Sequence, residues 1–150
     1  MKQVSLSLKS KMFPGRVLVL CVLILLTGCH HTEKELYPSG RLMSEKTLKG
    51  KKLDGAYKTW YENGVMESQR EINANKKHGL SFAWFKDGSL MLSEEYENDL
   101  LLKGSYFKKG DKNPVSKVES GKGYATLYDK DGLFLKKISY DKGKPILDVE

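Results

Sequence analysis

A glycine returns in this chain at a nearly constant interval, at Gly40, Gly64, Gly88, Gly110 and Gly132, with spacings of 24, 24, 22 and 22 residues. Its surroundings return with it. Four positions before each glycine stand Leu36, Trp60, Trp84, Tyr106 and Tyr128, and eight positions after it stand Leu48, Ile72, Tyr96, Val118 and Tyr140. Every member of both columns is apolar or aromatic. A third column, two positions after the glycine, holds Leu42, Met66, Leu90, Lys112 and Phe134, so only the fourth copy breaks it. A period of roughly 20–50 residues marks one supersecondary unit stacked repeatedly, each copy burying a face on its neighbours.

The unit reads as a β-hairpin. Asn63-Gly64, Asp87-Gly88 and Asp131-Gly132 are dipeptides that tight hairpin turns favour, because such turns need positive φ. The flanking runs are rich in Tyr, Phe, Trp and Thr, which suit a pleated, half-buried surface. A helical reading fails because a glycine-containing turn signal interrupts the chain every dozen residues or so. The second and eighth positions after the glycine are an even number apart, which predicts that they share one face of the second strand. The expected fold class is all-β: a repeat meander of antiparallel β-hairpins forming an open, twisted sheet over residues 37–150. A β-barrel whose hairpins merely look alike is the competing architecture. The fourth copy, with Gly104 displaced, Lys109-Gly110 in place of Asn-Gly and Pro114 following, is expected to be a distorted hairpin or a bulge.

The residues Gly55, Tyr57, Trp60, Tyr61, Asn63 and Gly64, then Gly79, Trp84, Phe85, Asp87 and Gly88, form a pattern that resembles the MORN repeat variant of bacterial proteins labelled YwqK-type antitoxins. A weaker version is Gly123, Tyr128, Asp131 and Gly132. The resemblance spans residues 37–145. It implies a β-hairpin array and, for function, an antitoxin or immunity protein that masks a toxin.

Residues 1–28 are a different device. Lys2, Lys9, Lys11 and Arg16 form a basic stretch without an acidic residue, and residues 17–26 are continuously apolar. Ten residues fall short of the ~20 that a membrane-spanning helix needs, so the segment reads as a signal peptide. It ends in Leu26-Thr27-Gly28-Cys29, which resembles the bacterial lipobox, in which the chain is cut before the cysteine and lipid is attached to its sulfur. Cys29 is therefore the expected lipidation site. His30 rather than Asp follows it, which by resemblance to Gram-negative lipoproteins points to the outer membrane. Residues 29–36 are expected to be a short lipidated tether. Cys21 lies in the leader, so no thiol pair remains for a disulfide.

Processing alters the charge argument. Of 26 Lys plus Arg, four lie in the leader, and without them the balance against 19 Asp plus Glu falls from +7 to +3. Such a nearly balanced domain gives no sign of nucleic-acid binding. Lysines gather in the segments between hairpins, as at Lys49, Lys51 and Lys52, or Lys76 and Lys77. They read either as a basic edge meeting anionic head groups or an acidic partner, or as solvated residues that keep sheet edges apart.

Nothing in the sequence has the pattern of a catalytic centre, a cofactor site or a metal site. His30, His31 and His78 have no partners at ligand spacing, and Glu94-Glu95, adjacent on a strand, should point to opposite faces. The aromatics carry the recognition argument. Trp60 and Trp84, with Tyr128 in register and Phe82 alternating onto the same side, form a candidate binding strip; Tyr57, Tyr61 and Phe85 fall on the other face. Either strip could be the buried one, the other then being free for a partner. The expected function is non-enzymatic: a lipoprotein anchored to the cell envelope that binds or scaffolds an envelope protein.

Overall fold

The computed structural model describes residues 29–146; the leader expected over residues 1–28 and the last four residues lie outside that range. The described chain is a single antiparallel sheet of 11 strands in strict sequence order, with no helix among the described residues. The strands are β1 (His30–Leu36), β2 (Leu42–Lys49), β3 (Lys52–Trp60), β4 (Met66–Asn73), β5 (Lys76–Trp84) and β6 (Leu90–Glu97), then β7 (Leu100–Tyr106), β8 (Ser116–Glu119), β9 (Lys122–Tyr128), β10 (Phe134–Asp141) and β11 (Lys144–Ile146). The first and last strands do not pair, so the sheet is open and the closed barrel is ruled out. Each anchor glycine sits between the two strands of one hairpin, as expected.

The turns are distributed differently from the expectation. At Gly64 the amide donates to the Tyr61 carbonyl (2.8 Å) and the Tyr61 amide donates to the Val65 carbonyl (2.9 Å). Only Gly64, at φ 89°, is left-handed there, while Asn63 is not. This is the longer hairpin loop in which a left-handed residue closes a type I turn. The same two bonds recur around Gly40, Gly88 and Gly132. True two-residue turns, with both residues at positive φ, occupy the opposite end of the sheet: Ala74-Asn75, Asn98-Asp99, Ser120-Gly121 and Lys142-Gly143. The lysine-rich segments between hairpins are thus tight turns, and the hairpins run together into one continuous meander. Side chains lock this end. Asn75 Oδ1 accepts the Leu53 amide at 2.7 Å, and one copy later Asp99 Oδ1 accepts the Lys77 amide at 2.8 Å.

A bulge follows each regular loop. Thr59 pairs with Ser68 but Trp60 pairs with Met66, leaving Glu67 extra; Met43, Met91 and Leu135 are its counterparts. Because paired residues share a face, the bulge sends the second position after the glycine to the side of Trp60 and Trp84. The eighth position lies on the other side. The single-face expectation for these two columns is overturned by that one inserted residue. A second irregularity sits at Gly79. Arg70 pairs with Ser81 and Ile72 with Lys77, so three residues of β5 face Glu71 alone. Gly79, at φ 99°, allows the Glu71 side chain to lie across it, where Glu71 Oε2 accepts the Leu80 amide at 2.9 Å.

Residues 30–36, expected as a tether, form the edge strand β1. Its HHTEKEL sequence buries nothing, and it is held to β2 by backbone pairing and cross-strand charge. Lys46 Nζ lies 3.1 Å from Glu33 and Lys34 Nζ 3.1 Å from Glu45. Hydrogen bonding to Lys46 holds the Glu33 carboxyl below its ordinary pKa.

The core sits toward the other end of the chain. Tyr96, Leu101, Tyr106, Val118 and Ala125 form its centre, with Leu92, Leu127, Ile138 and Tyr140 packed against them. These residues share the inner face of β6–β10, and there the twisted sheet curls over itself. The Lys86 amide reaches the Lys130 carbonyl (3.3 Å) and the Leu101 amide reaches Gly143 (3.0 Å). The fourth copy is the irregular one: β7 and β8 pair over only three positions and enclose residues 107–115.

Candidate functional site

Of the expected recognition strip, Phe82 and Trp84 come together. They are two residues apart on β5, project on the outer face, and stack with centroids 5.9 Å apart. Both are half-buried, and Leu80 beside them on the same face is 44% exposed. Trp60 ends β3 on the same outer face, with β4 between it and β5. Tyr128 does not join them. Its ring meets Phe85 edge-on at 6.5 Å and Phe134 at 6.3 Å, where the sheet has curled. The opposite stripe is the buried one: Phe85 is fully buried and Tyr61 nearly so. The Tyr61 hydroxyl donates to the Trp84 carbonyl at 2.8 Å, as the Tyr37 hydroxyl does to the Trp60 carbonyl at 2.7 Å. The two aromatic columns thus divide the work. The tyrosine column ties successive hairpins together, and the tryptophan column lies half open on the outside.

Cys29 is exposed and its thiol is free. It directly precedes β1, whose first residue pairs with Lys49, so it stands at the end of the sheet that carries the two-residue turns. The triplet Lys49, Lys51 and Lys52 surrounds the β2–β3 turn at that same end, whereas Lys108, Lys109 and Lys112 lie at the opposite end.

Two features escape the reading from sequence. The first is an apolar tip at the β9–β10 loop, where Leu133, Phe134 and Leu135 are 69%, 62% and 59% exposed. The second is a polar row across the inner face. Tyr57, Arg70, Ser81 and Glu94 are successive cross-strand partners from β3 to β6. Their signal was a charged column six positions after the glycine, Lys46, Arg70 and Glu94, which a search for apolar columns passes over. Glu94 and Glu95 do point apart. Glu95 pairs outside with Lys103 at 3.1 Å, while Glu94 accepts the hydroxyls of Tyr106 (2.9 Å) and Tyr96 (3.1 Å) inside. Burial, then the charge of Glu94, pushes the phenols of Tyr96, Tyr106 and Tyr140 above their ordinary pKa.

Three clefts follow one another along the inner face. One of about 480 Å³ lies at the loop end between Tyr37, Tyr61, Asn63, Lys86 and Lys130. One of about 400 Å³ continues past Tyr61 and Lys130 to Arg70, Leu92, Leu127 and Leu135. The last, about 310 Å³, holds Arg70, Lys77, Ser81, Glu94 and Tyr140. Among the described residues no three His, Cys, Asp or Glu side chains converge as metal ligands would.

Set beside known proteins, the chain matches no family model, and no curated protein or solved structure proves similar to it.

Proposed function

We propose that this chain is a lipid-anchored binding module of the bacterial cell envelope, held in the outer membrane through Cys29, that engages an envelope protein and performs no catalysis of its own. The observation that carries the anchor is the exposed, unpaired Cys29 directly before the first strand, after the Leu26-Thr27-Gly28 sequence. Two or more acyl chains hold a protein stably on a membrane where one does not. Cys29→Ser is expected to leave the protein uncut or released on fractionation; a variant that is cut and stays with membranes like the parent overturns the anchor.

The recognition reading rests on the outer face. Phe82 and Trp84 present a stacked, half-open aromatic pair next to exposed Leu80. Aromatics of this kind anchor interfaces, where truncation of one can cost about 2 kcal/mol or more of binding. Trp84→Ala should lose the partner in an envelope pull-down. It should lower stability more than Trp60→Ala, because it also removes the stack on Phe82. Unchanged capture with either variant would move the recognition surface off this face. A single toxin-like partner would make the protein an immunity factor, in line with the resemblance to YwqK-type antitoxins, whereas several envelope proteins would make it a scaffold.

A further inference from the structure

The hollow at the tight-turn end of the inner face holds donors that lack an acceptor. The Lys77 ammonium is engaged: it donates to the Tyr96 hydroxyl at 3.2 Å and lies 4.3 Å from the centre of that ring. The Tyr96 hydroxyl donates in turn to Glu94 Oε2 and the Tyr106 hydroxyl donates to Oε1, so both carboxylate oxygens of Glu94 are occupied. What remains is different in kind. Ser81, 3% exposed, has a buried hydroxyl oxygen without any hydrogen-bond partner among the described residues. Arg70, its direct cross-strand neighbour, makes no side-chain hydrogen bond or ion pair among them, and the hydroxyl of Tyr140, which lines the same hollow, makes none either. Buried polar groups are almost always paired, so the orphan Ser81 hydroxyl calls for an acceptor from elsewhere, and the exposed Arg70 guanidinium next to it is free to share that acceptor.

The walls narrow the choice of that acceptor. Arg70, Lys77 and Glu94 together carry one net positive charge, which matches a monoanion better than a dianionic phosphate. The planar fork of a guanidinium suits a carboxylate in a two-bond contact. Ala83, Leu92 and Leu127 line both this hollow and the adjoining 400 Å³ cleft, which continues along Met91, Tyr128 and Leu135. The two volumes fall in the range of small-molecule sites. We propose that this part of the inner face binds an aliphatic monocarboxylate, its head held by Arg70, Ser81 and Tyr140 and its hydrocarbon lying against Leu92 and Leu127 in the adjoining cleft. The site goes beyond the anchor and the outer-face partner, and stands whether or not Cys29 carries lipid.

The test is calorimetric titration of the purified protein with sodium hexanoate, in phosphatidylcholine nanodiscs if it carries lipid and in plain buffer if it does not, the same medium without protein serving as the blank. Hexanoate should bind saturably and 1-hexanol at least tenfold more weakly. Arg70→Met should weaken hexanoate at least tenfold with an unchanged melting temperature, and Arg70→Lys, which keeps charge but loses the fork, should fall between. Ser81→Ala separates this site from a merely structural one. It removes an unpartnered polar atom, so the melt should hold or rise while hexanoate affinity falls at least threefold. No saturable binding of hexanoate, equal affinity for hexanoate and hexanol, or Arg70→Met with parental affinity would overturn the proposal.

Discussion

Four residues after the anchor glycine the first two copies carry Ser44 and Ser68, and the third carries Leu92. Six residues after it, Lys46 and Arg70 give way to Glu94 and, in the last copy, to Ile138. Strands β1–β4 therefore line the inner face with hydroxyls and charge, and β6–β10 line it with the core. Turns and pairing recur in both regions except at the short β7–β8 pairing, so the backbone pattern alone does not separate them. The inner column does. Apolar side chains on β6–β10 gain by meeting across the concave side, whereas the charged groups of Lys46 and Arg70 would lose water there. The inner clefts lie between these polar strands and β9–β10, with Arg70 on one wall and Leu127 on the other. At the free edge of β1, the charges of Glu33, Lys34 and Glu35 discourage another sheet from pairing there.

The largest test of this division is Phe85→Ala. Phe85 is fully buried at the boundary between the two regions, against Tyr128. Its loss should cost about 3–5 kcal/mol in denaturant unfolding. Ser44→Ala removes a bond to Glu35 of 2.9 Å near the free edge and should cost about 1 kcal/mol. Equal costs for the two would mean that the apolar half does not hold the fold.

A second test compares two glycines of successive copies. Gly64 is left-handed with open space around it, so Gly64→Ala should cost about 1–2 kcal/mol of backbone strain alone. At Gly79 a Cβ would overlap Glu71 Oε2 and lie 3.2 Å from the Glu71 Cβ. Strain and displacement add, so Gly79→Ala should cost about 2–4 kcal/mol. Thermal melts of both variants check the order. A larger loss at Gly64 would place the constraint in the loops rather than in the irregular pairing of β5 on β4.

These irregularities mark how far the sequence could be read. Gly40, Gly64, Gly88 and Gly132 locate the hairpins, and the aromatic columns locate the strands, because turn chemistry and β-propensity act locally. Register does not act locally. The extra residues Met43, Glu67, Met91 and Leu135 look like ordinary strand residues until their partners are known. Two of the two-residue turns were hidden for a related reason: Ala74-Asn75 and Asn98-Asp99 adopt positive φ because the meander leaves two residues to reverse it, and no glycine announces them. In the same way β1 is fixed by its partner strand rather than by its own composition. Of the candidate sites, Cys29 and the Phe82–Trp84 pair were legible because their signals lie within a few residues. Arg70, Ser81 and Tyr140 come to line one cleft only after the second to fifth copies have paired.

The smallest expected effect lies in the tyrosine column. Tyr61 and Phe85 are equivalent residues of successive copies, and only Tyr61 reaches forward, its hydroxyl donating to the Trp84 carbonyl at 2.8 Å. Tyr61→Phe makes the earlier copy like the later one, and at pH 9 should cost about 1 kcal/mol for the lost bond. The gap should not stay constant with pH. Burial first, with the carboxylates of Glu67, Asp131 and Asp129 adding to it, pushes the Tyr61 phenol up to about 12. A phenol whose pKa is raised on folding contributes stability that is fully present below its ordinary value near 10 and is lost as pH rises through 12. For a rise of this size the loss by pH 12 is about 2 kcal/mol. Phenylalanine has no such proton to lose. The parent should therefore be the more stable protein at pH 9 and the less stable one near pH 12, with the two stability curves crossing between. Both will still decline there, because burial has also raised the phenols of Tyr96, Tyr106 and Tyr140. Urea unfolding of the pair from pH 9 to 12 reads the crossing directly. Parallel curves would show that Tyr61 is solvated, and that the hairpins of the polar half are not tied together through it.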